Sequence, residues 1–228
     1  MSTLTADWPG LYNGTAMKII KHILTALALT LLVFSASVVF TLNFKPLYYT
    51  DMERYRLSER FGYPEEEIRA NYDAMVEYNN FFYKGELEFP TLPMSENARE
   101  HFREVRVIFV FIETVLLPVG LAGTIAGIIL CRKDRKKPYL LLSGIFSVGM
   151  PAVLGGLIAA NWDTFFTKFH ELFFNNDYWI FNSATDPIID LLPDEFFLHC
   201  CVLILGIVLA CAALCIILYI RNAKRSRV

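Results

Sequence analysis

Histidine is the side chain that changes charge nearest neutral pH, so the four histidines are the first candidates for proton chemistry. Two stand among other polar residues: His101 in EHFREV and His170 in FHELFFNNDYWIF. A pair of imidazoles can take a proton from one reacting group while protonating or steadying another. Acids lie near both rings: Glu100 and Glu104 beside the first, Asp163, Glu171 and Asp177 around the second. A carboxylate accepting from one ring nitrogen would fix the tautomer and make the other nitrogen more basic. Asp177, set between Asn176 and Tyr178, is the most interesting of these acids. His22, next to Lys21, and His199, near the start of an apolar run, have no clustered polar company and read as packing or interfacial side chains.

Glu113 is the odd charge, because it falls inside an apolar run where an ionisable group is costly. Arg106 stands seven residues earlier, on the same face of a helix. The two could form a buried polar contact or bind substrate. The five cysteines show no CxxC pattern; Cys131, Cys200, Cys201, Cys211 and Cys215 read as small buried apolar side chains. The chain has no HExxH, no glycine-rich phosphate loop and no GxSxG elbow, so no cofactor or metal is expected from motif. No basic patch in the segments assigned to the outside points to nucleic acid.

The elements that must position these residues are four apolar runs in a chain of 228 residues that is 55% hydrophobic. They cover about 19–40, 105–130, 139–160 and 196–220. Each is long enough to cross a hydrocarbon core of roughly 30 Å. The fold class expected is membrane α-helical, with residues 17–228 as one integral membrane domain and 1–16 as a polar, disordered cytoplasmic N-terminus. Lys18 and Lys21, the turn CRKDRKKP and the terminal RNAKRSRV are basic, which puts both termini in the cytoplasm. The alternative for the first run, a cleaved signal peptide ending near Ser35-Ala36-Ser37, conflicts with apolar sequence that continues to Leu42.

Segments 41–104 and 161–195 then lie outside and form a small cap of mixed α and β character. Asn43 to Tyr55 could hold a strand, Pro64 opens a helix running to about Phe82, Gly85–Phe89 alternates as a strand does, and Ser95 caps a helix that continues into the second span. Trp162 to Phe174 reads as a helix continuing the third span, broken by Asn175-Asn176; Tyr178–Phe181 reads as a strand, and Asp186-Pro187 starts a short helix. Gly123-xxx-Gly127 in the second span, and Gly144, Gly149, Gly155 and Gly156 in the third, suit close helix packing. Counted outward from CRKDRKKP, His101 and His170 lie about thirty residues along two antiparallel helices, so equal rise brings both to the outer headgroup level.

Three stretches, NYDAMVEYNNFF, MSENAREHFREVRVIF and FHELFFNNDYWIFNSATDPIIDLLPDEFF, resemble the bacterial lipoprotein intramolecular transacylase family of Gram-positive bacteria. The resemblance extends over nearly the whole chain after Met17. It implies an enzyme of the bacterial cytoplasmic membrane acting on lipoproteins whose N-terminal cysteine carries diacylglycerol. It implies transfer of the sn-2 acyl chain to the cysteine α-amine, giving a lyso-form lipoprotein, with His101 and His170 as the catalytic pair on the extracytoplasmic side. Glu104 stands where the family more often has an aspartate, which keeps the charge on a longer arm. The residues alone leave two rivals: a zinc-dependent hydrolase using both histidines and an acid, and a non-enzymatic accessory or sensor protein whose aromatic cap binds lipid or a partner.

Overall fold

The computed structural model of the protein describes residues 14–225. Four helices are long and apolar enough to cross a membrane: Gly14–Asn43, Glu96–Cys131, Pro138–Ala160 and Asp194–Arg225. The first is α1. Between it and the second lie α2 (Lys45–Arg54), α3 (Leu57–Phe61) and α4 (Glu65–Tyr78). The second is α5 (Glu96–Phe111) and α6 (Leu117–Cys131), joined without a break by a π-helical turn, Ile112–Leu116. The third is α7 (Pro138–Ala160), followed by α8 (Trp162–Phe173), a 3-10 turn at Pro187–Leu191, and α9 (Asp194–Arg225). The stretch 1–16 expected to be disordered falls mainly outside the described residues, and α1 already includes 14–16.

The helix 96–131 spans about 54 Å at 1.5 Å per residue, well beyond the hydrocarbon thickness. Its first turns, with His101, therefore project past the apolar run at 105–130. Lipid tails are as apolar as the side chains, so the spans are held by close packing rather than by expulsion of water. Small residues allow that approach. A Cβ added at Gly120 would lie 2.7 Å from the Leu32 backbone nitrogen, and one at Gly127 would lie 2.3 Å from Thr25 Oγ1. Gly144 faces Ile216 in the same way. Gly149 and Gly156 face open space, so the packing role expected for all the α7 glycines holds for Gly144. Helix α1 packs against α6, α7 and α9, and α7 packs against α9.

No strand occurs among the described residues, which corrects the mixed α/β cap: it is helical with irregular connections. Residues 45–54 form α2 because Pro46 stands in the first turn and Tyr48, Asp51 and Met52 bury one helical face. The alternation at Gly85–Phe89 lacks a partner strand. Its backbone is tied instead to side chains, with Arg99 donating to the Leu87 carbonyl at 3.0 Å. Asn71, fully buried, donates to Glu67 O and Thr91 Oγ1 and accepts from Thr91 N, which pins the end of this segment. Tyr178–Phe181 is a turn built on Asn176, whose Oδ1 accepts from Tyr178 N at 3.0 Å. Helix α8 does not continue α7. Asn161 is extended and caps α8 through Thr164 N at 2.7 Å, so the chain changes course there.

The cap has its own core. Tyr48 and Tyr72 stack at 3.7 Å between centroids with Phe196 edge-on to both, and Tyr48 donates to Leu191 O at 2.8 Å. Ser95 caps α5 through Ala98 N, as its position predicts, and its own N–H donates to Asp186 at 2.6 Å. This core fixes the direction of α5 and hence of His101.

Candidate functional site

His101 and His170 meet at the cap end of the bundle, their ring centroids 5.9 Å apart. They do so although α6 packs chiefly on α1, and α7 on α9 and α1, rather than on each other; equal rise along the chain is what survives of the expectation. His101 is buried, with Phe174 edge-on at 4.8 Å and Phe181 at 5.5 Å. His170 is half-buried, between Phe166 at 4.2 Å and Trp179 at 4.8 Å. Both line an apolar cavity of about 350 Å³ that reaches from Phe165 and Phe169 down to Val38 and Ile204 in the spans.

The acids expected to orient the rings do not. His170 Nδ1 lies 2.8 Å from the Phe166 carbonyl, one helical turn back. A carbonyl only accepts, so Nδ1 carries the hydrogen and the neutral ring's lone pair is on Nε2. Burial pushes the His170 pKa below its ordinary value, against the smaller opposing effect of that carbonyl. His101 lies in the turns of α5 that precede the span. Burial, with a smaller contribution from His170, pulls its pKa down to about 4. Both imidazoles are therefore neutral near pH 7.

Glu104 Oε1 accepts from Asn176 Nδ2 at 2.9 Å, a bond that ties the loop after α8 to α5. Asn176, and not its neighbour Asp177, is the polar residue this loop turns inward; Asp177 is exposed, and Glu171 pairs with Lys168 at 2.5 Å. Glu100 pairs with Arg103. Arg106 and Glu113 do not bind each other. Arg106 donates to Asn80 O at 3.2 Å and Tyr83 O at 2.8 Å, while Glu113, in the π turn, accepts from Phe81 N at 2.7 Å. They grip one turn, residues 79–83, from both sides. Asn176 and this turn were not legible as partners, because each contact joins residues remote in sequence.

The other two histidines have partners that the sequence did not suggest. His199 Nδ1 lies 2.8 Å from Asp51 Oδ2 in the cap. At the opposite end, His22 Nδ1 lies 3.3 Å from Cys131 Sγ, and His22 Nε2 lies 3.1 Å from Asp134 Oδ2, which Lys21 also meets at 2.7 Å. These three could share a cation. Both imidazole nitrogens and the carboxylate are already engaged, and the arrangement staples the start of α1 to the α6–α7 turn.

Four membrane-length helices under a helical cap, with two facing imidazoles at the mouth of an apolar cavity, describe an integral membrane protein. The family model for lipoprotein intramolecular transacylase Lit matches residues 23–197, and the chain belongs to that family of membrane acyltransferases. Among solved structures, Lit from Bacillus cereus is 32% identical, covers 93% of this chain and 99% of its own, and superposes with a TM-score of 0.90. Two variants of that protein, a histidine-to-arginine and a histidine-to-alanine substitution, are 32% and 33% identical, each covers 95% of this chain, 96% and 98% of their own length is matched, and both have TM-scores of 0.86. No curated protein matches the chain.

Proposed function

We propose that the protein moves the sn-2 acyl chain of a diacylglyceryl-cysteine lipoprotein onto the cysteine α-amine, leaving a lyso-form lipoprotein. One observation carries this reading: a histidine with a defined free nitrogen faces a second, buried histidine inside a cavity otherwise suited to acyl chains. An α-amine has a pKa near 8, so it arrives partly protonated and must lose a proton to attack. That proton is lost to bulk solvent, and as the free amine attacks, His170 Nε2 takes a second proton from its nitrogen. The amine nitrogen bonds to the ester carbonyl carbon, and negative charge develops on the carbonyl oxygen. His101, kept neutral by burial, donates an N–H hydrogen bond to that oxygen, as a buried imidazole donor can. The C–O bond to glycerol breaks as the tetrahedral centre collapses, and His170 returns the proton to the leaving oxygen. An amide replaces an ester and both histidines end as they began. Amine and ester sit on one molecule, so holding a bent conformation supplies much of the rate.

Three other groups named from the sequence act on position. Glu104 holds the α8 loop through Asn176, and Arg106 and Glu113 hold the 79–83 turn. Asp177 and Glu171 have no part in the reaction. The zinc hydrolase reading lacks a carboxylate at the pair: among the described residues the only group with metal-ligand spacing lies at the other end of the bundle.

The test is mass spectrometry of a diacyl lipopeptide with different chains at sn-1 and sn-2, incubated with purified protein. The sn-2 chain is expected on the amine. Substituting alanine at His101 or His170 is expected to slow transfer by roughly 10²-fold or more. Transfer at the wild-type rate in both alanine variants ends the histidine mechanism, and arrival of the sn-1 chain ends the positional assignment.

A further inference from the structure

The catalytic cavity is almost wholly apolar, yet it holds buried polar atoms with no partner in the protein. Asn79 Oδ1, Thr41 Oγ1, Trp162 Nε1 and His101 Nδ1 all lie in side chains that line it, and none has a hydrogen bond. Asn79 is 3% exposed, Thr41 5% and His101 7%. Native proteins rarely leave such atoms unpaired, because each costs free energy unless something satisfies it. A ligand entering the cavity would satisfy them.

Asn79 is the most specific of the four. Its Nδ2 donates to Met75 O at 2.9 Å, which fixes the amide orientation and leaves Oδ1 as the free end. A carboxamide oxygen only accepts, so its partner must donate. Asn79 is also held still. It ends α4 with its N–H donating to Met75 O and Val76 O, and the turn it begins is gripped by Arg106 at the Asn80 and Tyr83 carbonyls and by Glu113 at Phe81 N. This rigid acceptor therefore explains what the two odd charges of the second span are for.

We propose that Asn79 Oδ1 is the recognition point for the α-amine of the lipoprotein's terminal cysteine, an assignment that rests on the function proposed above. Near the reacting atoms of that substrate, the two esters and the thioether sulfur can only accept. The amine is the group that donates from the reacting end, and as an ammonium or as a free amine it keeps a hydrogen for Asn79 after one proton goes to His170. The bond orients the nitrogen lone pair toward the ester. Thr41 and Trp162 can donate, and they match the ester oxygens in the same cavity. Asn79 is thus a substrate-positioning residue that selects an unmodified N-terminus; an already acylated cysteine has lost the charge it prefers.

The test uses a lipopeptide whose glycerol chains are ether-linked, so that it binds without reacting, and a matched des-amino lipopeptide in which hydrogen replaces the amine. Binding of both to full-length protein in nanodiscs is measured by fluorescence anisotropy. Wild-type protein is expected to prefer the amine form by roughly tenfold, the effect of one hydrogen bond to a charged group. Asn79→Leu erases the preference while leaving affinity for the des-amino form unchanged. Asn79→Asp, which keeps an oxygen at this place whether ionised or protonated, retains or widens it, and carries the test if the leucine variant does not fold. The proposal is overturned if wild-type protein shows no preference, if Asn79→Leu weakens both ligands equally, or if Asn79→Asp loses the preference. A diacyl ester lipopeptide assayed alongside separates the two readings: turnover without amine preference removes Asn79 alone, whereas no turnover removes the proposed function.

Discussion

The base role proposed for His170 rests on a backbone carbonyl rather than on an acid. The i−4 carbonyl of Phe166 holds the hydrogen on Nδ1, and no neighbouring charge opposes the burial that lowers the pKa. Histidine is ordinarily half-protonated near pH 6.5. With the folded pKa depressed, His170 stays neutral below that pH, and the base is lost only as pH falls through its lowered value. In 15N-histidine NMR of the purified protein, His101 is expected to titrate at about 4 and His170 below 6.5. At pH 7 His170 is expected as the Nδ1–H tautomer; the other tautomer would remove the base assignment. The same shifts bear on stability. Each histidine binds its proton more readily unfolded than folded, so its contribution is complete above about pH 6.5 and declines as pH falls toward 4. Tm measured across that window is expected to fall on the acid side; a rise would contradict the burial of the pair.

Helix α5 carries His101 and α8 carries His170, and the hydrogen bond from Asn176 to Glu104 ties the loop after α8 to α5. Replacing Asn176 by leucine leaves Glu104, whose Oε2 already lacks a partner, with both oxygens unsatisfied. Such a loss costs about 1–3 kcal/mol, so Tm is expected to drop and acyl transfer to slow as the rings lose register. An unchanged Tm and rate would show that the cap core alone aligns α8. Helix packing gives a second contrast. Gly127→Val is expected to disrupt the α1–α6 contact, where Thr25 leaves no room, whereas Gly149→Ala, facing open space, is expected to leave thermal stability within about 0.5 kcal/mol of wild type. Equal losses in the two variants would refute the assigned contact.

Across the whole molecule, the α1–Asp134 staple puts the start of α1 beside the basic α6–α7 turn, and Gly144 against Ile216 brings the end of α9 to the same region. By the positive-inside rule this end is expected in the cytoplasm and the histidine cap outside. Reporter fusions test it: a C-terminal fluorescent protein is expected to mature and a C-terminal alkaline phosphatase to remain inactive. A cysteine introduced at exposed Asp177 is expected to react with an impermeant maleimide from outside intact cells. The reverse pattern would invert the topology and put the substrate ester in the wrong leaflet.

The sequence by itself determined the four spans, the length that carries His101 past the apolar run, the cap at Ser95 and the equal height of the two histidines. These follow from local rules of hydropathy, rise per residue and capping, which need no partner. It misread residues 43–55, 85–89 and 178–181 as strands because a strand exists only when another pairs with it, and aromatic content cannot supply that partner. Tertiary structure alone decided that a carbonyl orients His170, that Asn176 finds Glu104, that Arg106 and Glu113 grip a distant turn, and that Asn79 offers an unclaimed oxygen to the cavity. Each but the last joins a particular donor to a particular acceptor at about 3 Å. Except for the carbonyl within α8, the partners lie far apart in the chain, and no local pattern encodes which of them will meet.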